Sequence, residues 1–121
     1  MNKILLVEDS PVISKMSKLL LEDCEELDCK VDVARSGQAA LELIDKNNYH
    51  LVLLDIGLPD IDGHTIAKCI RNHENPHISQ VPIVAITAHS EDEEAEKCLK
   101  AGIERVIIKP LTTEIAKTFL Q

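Results

Sequence analysis

The chain has 121 residues, room for one ordinary domain and not two, and it carries 21 acidic against 13 basic side chains for a net charge of -8. With no basic run, that balance argues against a nucleic-acid-binding surface and points to proteins, cations or small ions as partners. Only Ile4-Leu5-Leu6-Val7 precedes the acids Glu8 and Asp9, too short an apolar run for a signal sequence or a membrane span, so a cytoplasmic location without membrane contact is expected.

Lys3 to Val7 reads as a first strand with acids at its C-terminal end. Ser10-Pro11 then opens a helix, serine as cap and proline at the first helical position. Val12, Ile13, Met16, Leu19 and Leu20 fall on one face of that helix, which should end between Glu22 and Cys24. Lys30 to Ala34 alternates as a strand, and Ser36-Gly37 leads into a helix that turns Ala40, Leu41 and Ile44 inward. Leu51-Val52-Leu53-Leu54-Asp55 is an unbroken apolar run ending in a carboxylate and followed by the turn Ile56 to Gly63. Such a strand is buried on both faces and belongs in the middle of a parallel sheet.

From His64 to about Asn72 an amphipathic helix is expected, with Ile66 and Ile70 inward, closed by the turn Glu74-Asn75-Pro76-His77. Val81 to Thr87 is a fourth strand. Ser90-Glu91-Asp92-Glu93 has the form of a capping box for a helix that runs to Ala101, with Gly102 as its C-cap. Arg105 to Ile108 is a fifth strand ending at Lys109-Pro110, and Thr112 or Thr113 caps a last helix of about two turns that carries Ile115, Phe119 and Leu120. The four cysteines, Cys24, Cys29, Cys69 and Cys98, form no CxxC pair and no grouping with histidine, and read as reduced thiols that pack as small apolar residues.

Five strand-then-helix units in strict alternation imply an α/β fold, a doubly wound five-stranded parallel sheet with helices on both faces. Glu8, Asp9, Asp55, Thr87 and Lys109 each lie at or just past the C-terminal end of a strand, so all five should meet at one edge, where open α/β sheets place their ligands. Three carboxylates held together repel one another unless a cation joins them, and an all-oxygen set selects a hard ion such as Mg²⁺. With Lys109 the formal charges cancel, and the site is prepared for an anion. If Asp55 is the nucleophile it takes a phosphoryl group as an acyl phosphate, with Lys109, Mg²⁺ and the Thr87 hydroxyl on its oxygens.

The run of Leu6-Val7-Glu8-Asp9, the turn from Asp55 through Pro59 and Asp62 to Gly63, Ile86-Thr87-Ala88-His89, Lys97 to Gly102 and Lys109-Pro110, in that order, resembles the receiver domain of bacterial two-component response regulators, the CheY-like family, over essentially residues 1–121. The resemblance implies the flavodoxin-like strand order 2-1-3-4-5 and assigns Asp55 as phospho-acceptor. It implies that Asp9 and Asp55 bind Mg²⁺ directly, that Glu8 acts through water and that the backbone carbonyl of Gly57 is the third protein ligand. Thr87 and Lys109 match the phosphate-sensing hydroxyl and lysine, and the bond before Pro110 is cis in the family. The implied partner is a histidine kinase or a histidine phosphotransfer protein, and the chemistry is self-phosphorylation and hydrolysis more than turnover of a substrate. The parent is expected to be a hybrid histidine kinase, with a free-standing single-domain regulator as the alternative and a non-phosphorylated interaction module behind both.

Two positions depart from the pattern. Val106 stands where a Tyr or Phe is usual, and the last helix is about half the family's length. His89, two residues beyond Thr87, reads either as a modulator bordering the phosphate site or as a plain surface histidine. His73-Glu74-Asn75-Pro76-His77 matches the HExxH zinc signature letter for letter, but Pro76 breaks the continuous helix that chemistry requires. A dinucleotide enzyme would want a glycine-rich turn where Glu8-Asp9-Ser10-Pro11 stands, and a haloacid-dehalogenase-type phosphatase a second Asp at Gly57.

Overall fold

The computed structural model describes residues 2–88 and 92–120. In chain order the elements are β1 (Asn2–Val7), α1 (Pro11–Asp23), β2 (Cys29–Ala34), α2 (Gly37–Lys46), β3 (Leu51–Asp55), α3 (Gly63–Arg71), α4 (Pro76–Ser79), β4 (Ile83–Thr87), α5 (Asp92–Lys100), β5 (Arg105–Ile108) and α6 (Thr113–Leu120). The strands form one sheet in the order β2-β1-β3-β4-β5, every neighbouring pair parallel. All five residues of β3 are buried, as are all five of β4, because helices cover both faces of the sheet there.

Side-chain alternation along the central strands splits the core in two. Leu5, Val7, Val52 and Leu54 join Ala40 and Ile44 of α2, Ile66, Ala67 and Ile70 of α3, and Cys98 of α5 on one face. Ile4, Leu6, Leu51 and Leu53 join Leu21 of α1 and Ala116 of α6 on the other. The helices start where short polar side chains accept backbone amides: Ser10 from Ile13, Ser36 from Ala39, Asp62 from His64 and Thr112 from Ile115. Gly102, at φ +91°, ends the α5 segment in the left-handed region where a side chain would be strained. The Ser90–Glu93 capping box involves residues outside the described ones.

Two features go beyond the sequence reading. Most of the apolar face of α1 stays out of the core: Val12, Met16 and Leu19 are 66%, 65% and 50% exposed and Ile13 is exposed beside them, while Leu20 packs against the core. The face against the sheet is instead the one that carries Ser14 and Leu21, roughly half a turn away, with the Ser14 hydroxyl satisfied by the Pro11 carbonyl. The segment after α3 is also more than a turn, since Pro76 starts the short helix α4 with Asn75 as its cap. That break separates the two histidines of the HExxH match, and His73 Nε2 lies 2.6 Å from Asp45 instead. Arg71, which no sequence pattern marked, ties these turns together through the carbonyls of Ser79, Val81 and Gly102.

Candidate functional site

The three inner strands end in acids and a hydroxyl at the same sheet edge. Glu8 follows β1, Asp55 ends β3 and Thr87 ends β4, and all three side chains are buried. Asp9, half-buried, completes a cluster in which Glu8, Asp9 and Asp55 each offer one carboxylate oxygen within 4.8 Å of the others. Lys109 reaches in from beyond β5, its Nζ 3.4 Å from Asp55 Oδ2 and 3.5 Å from Glu8 Oε1. Its backbone amide donates to the Thr87 carbonyl at 2.8 Å, and the peptide bond that follows it, to Pro110, is cis.

The electrostatics follow from this crowding. Burial, the hydrogen bond to Asp55 and the charge of Asp55 push the Glu8 carboxyl up to about 7, against the pull of the Ser10 amide and Lys109. Burial works against the charge of Lys109, but Asp55 and Glu8 outweigh it and hold the ammonium above the ordinary lysine range. The cluster thus carries more negative charge than one lysine neutralises. Three carboxylates gathered this closely at a largely buried edge form the hard-oxygen donor set that Mg²⁺ takes. The residues fit such a cation.

The loop from Ile56 to Asp62 forms one wall. The Gly57 amide donates to Asp55 Oδ1 at 3.1 Å and fixes that carboxylate's rotation. Asp60 accepts from the Gly37 and Gln38 amides of α2, which hold its carboxyl below the usual carboxylate range. On the opposite wall a cavity of about 210 Å³ opens between α1 and the turn after β5, lined by Ile13, Met16, Leu20 and Leu111 and reaching Glu8, Asp55 and Lys109. Val106 is half-buried on β5, opposite Ala85 and packed against the core. His89 lies outside the described residues.

Sequence reasoning singled out the acids and the lysine but missed Asp60, whose partners are more than 20 positions away in the chain and leave no local signal. Asp62, before a helix that opens with Gly63, was legible as a cap by residue type alone.

The response regulator receiver domain family matches residues 4–120. Over 92% of the chain the sequence is 36% identical to the signal transduction histidine-protein kinase BarA of Escherichia coli K12, of which it spans only 12%. The chemotaxis protein CheY4 of Vibrio cholerae superposes with a TM-score of 0.89 at 26% identity, covering 100% of this chain and 97% of that one. The receiver domain of the sensor histidine kinase PA1611 from Pseudomonas aeruginosa PAO1, which has a magnesium ion coordinated in its active-site cleft, gives a TM-score of 0.86 at 32% identity over 99% of this chain and 94% of that one.

Proposed function

Because the chain belongs to the receiver domain family of response regulators, we propose that it works in a phosphorelay by accepting a phosphoryl group on Asp55 from a phosphohistidine donor. A carboxylate oxygen of Asp55 attacks phosphorus, the bond from phosphorus to the donor's imidazole nitrogen breaks, and an acyl phosphate forms. The Lys109 ammonium lies where it can stay with the transferred oxygens, and the Thr87 hydroxyl, at the next strand end, is the group that follows them. Asp9 and Asp55 are the residues to hold Mg²⁺ directly, with Glu8 acting through water and the Gly57 carbonyl as the backbone ligand. When bound, that ion neutralises charge on the phosphoryl oxygens. Hydrolysis or onward transfer restores the carboxylate.

The observation that carries this reading is the Lys109 ammonium set between Asp55 and Glu8, with three carboxylates converging at adjacent strand ends. Mass spectrometry after incubation with Mg²⁺ and acetyl phosphate tests it: one phosphoryl group on the peptide containing Asp55 is expected, and an unmodified protein would sink the assignment.

The partner we propose is a histidine kinase or histidine phosphotransfer protein, and the bare apolar stripe of α1 beside the cavity supports a helical donor docking there. We place the chain as one receiver domain over residues 1–121, acting in the cytoplasm without contacting nucleic acid or membrane. Among the described residues no helix is long and apolar enough to cross a membrane. The kinase relatives favour a hybrid histidine kinase as parent, with a free-standing single-domain regulator as the alternative. An immunoblot of native extract separates the two by the size of the band.

A further inference from the structure

We infer that Asp60, anchored on the N-terminus of α2, is a positioning residue that sets the loop carrying Gly57 and thereby governs Mg²⁺ affinity and phosphoryl uptake at Asp55. The inference rests on the function proposed above for that site.

The segment from Ile56 to Asp62 leaves the sheet at Asp55 and returns at α3; Ile56, Leu58 and Ile61 are half-buried and pack against the core, while Gly57, Pro59, Asp60 and Asp62 are exposed. Apolar packing holds those three side chains, and the exposed backbone between them, Gly57 included, takes its position from the segment's ends and its polar tethers. The far end is fixed by close approach. A Cβ on Gly63 would sit 3.0 Å from Ile56 Cα and 3.2 Å from the Asp55 carbonyl oxygen, so this turn admits only glycine without a shift of backbone.

The middle of the loop is fixed by Asp60. Its Oδ1 accepts from the Gly37 amide at 2.9 Å and its Oδ2 from the Gln38 amide at 3.1 Å, both carboxylate oxygens on successive donors of a helix's first turn. Charge-assisted bonds of this kind, at the positive end of a helix, are among the stronger surface contacts. A second observation puts the loop against the same helix end: a Cβ on Gly37 would lie 2.7 Å from Ile61 Cβ and 3.0 Å from Ile66 Cδ1. The α2 N-terminus and the loop are thus in direct contact, and Asp60 is the polar clasp over it.

What the clasp positions is Gly57. Its amide holds Asp55 Oδ1, and its carbonyl is the backbone ligand proposed for Mg²⁺. Release of Asp60 lets the loop drift, loosens that amide and displaces that carbonyl together. The alternative is that Asp60 merely caps α2, but Ser36 already caps this helix through the Ala39 amide, which provides the control.

The experiment compares the parent with Asp60→Ala, Asp60→Asn and Ser36→Ala. Mg²⁺ affinity is read by isothermal titration calorimetry, labelling by acetyl phosphate, and loop order by hydrogen exchange of the Gly57 amide without metal. Asp60→Ala should weaken Mg²⁺ binding about tenfold, the lower end of what outer-shell supports contribute. It should also slow labelling and speed Gly57 exchange. Asp60→Asn, which keeps an acceptor oxygen, should recover part of each, while Ser36→Ala should lower the melting temperature and leave Mg²⁺ affinity unchanged. Mg²⁺ affinity in Asp60→Ala within twofold of the parent overturns the inference, as does an equal loss in Ser36→Ala. A parent that neither binds Mg²⁺ nor takes a phosphoryl group removes the proposed function instead, and unchanged Gly57 exchange in Asp60→Ala then removes the tether as well.

Discussion

On one flank of Asp55 the chain from Ile56 to Gly63 is tied down, with Ile56, Leu58 and Ile61 packed on the core, its carboxylates spent on the helix ends of α2 and α3 and Gly63 pressed against neighbouring backbone. On the other flank α1 turns Val12, Met16 and Leu19 to solvent over an apolar cavity that leads to the same carboxylate. The first arrangement suits a wall that must keep atoms in place for in-line attack, and the second a wall that must receive another molecule. A receiver needs both, because its nucleophile is its own but its phosphoryl group arrives on a partner.

Asp55 lies on the seam, and removing it should have the largest effect. Asp55→Asn replaces the attacking oxyanion with an amide and takes away a metal ligand, so acetyl phosphate labelling followed by mass spectrometry should fall to background. A normal yield would move the acceptor elsewhere and dissolve the comparison.

The two flanks themselves should separate stability from transfer. Ile66 of α3 is fully buried on the tethered side, and Ile66→Ala should cost about 2–5 kcal/mol in a denaturant melt. Met16 on the bare side is 65% exposed, and Met16→Glu should change stability by no more than about 0.5 kcal/mol. That same variant should cut transfer from a phosphohistidine protein about tenfold while acetyl phosphate, which needs no docking surface, labels it as before. Equal losses with both donors would make α1 part of the chemistry and not of recognition.

The contrast also marks what a sequence can and cannot reveal. β3, the alternation of strands and helices, and the acids at strand ends were readable because burial on both faces leaves an unbroken apolar run and because parallel topology puts every strand end at one edge. The outward face of α1 was not readable: helical spacing shows that Val12, Met16 and Leu19 share a stripe, but a stripe made to meet a partner looks the same as one made to meet the core. Asp60 was unreadable for a different reason, since its partners Gly37 and Gln38 open α2, on the far side of β3 in the chain.

Within the cluster the largest pH effect should come from Glu8. Its carboxyl is raised to about 7 in the folded protein, above its ordinary value of 4.5, so the metal-free fold binds more protons than the unfolded chain between those values. The Glu8 contribution to stability is then fully present below about pH 4.5 and is lost as the pH rises through 7, by an amount on the order of 1 kcal/mol. Glu8→Gln should flatten this part of the melting profile, and Mg²⁺ should flatten it in the parent by favouring the ionised carboxylate. A parent profile that does not decline over this range would mean that Glu8 is neither buried nor crowded by Asp55 as the fold places it.

The smallest effect expected concerns how far a phosphoryl group is felt beyond both flanks. Receiver domains resemble one another in an aromatic ring that moves inward when the hydroxyl at the end of the fourth strand follows the phosphate, and Val106 stands at that position. Valine is β-branched, held near one rotamer and here half-buried against the core opposite Ala85, so it offers no second position to occupy. A modification shifts an equilibrium only by its differential interaction with two states, and without the ring that difference has to arise at Thr87 and the chain just after it. Amide shifts on adding a beryllofluoride mimic of the phosphoryl group should therefore be large at Thr87 and Ala88 and small across residues 103–108. If residues 103–108 move as much as Thr87, the fifth strand is a switch without its aromatic, and the tethered loop and bare helix are not the only surfaces through which this domain reports its phosphate.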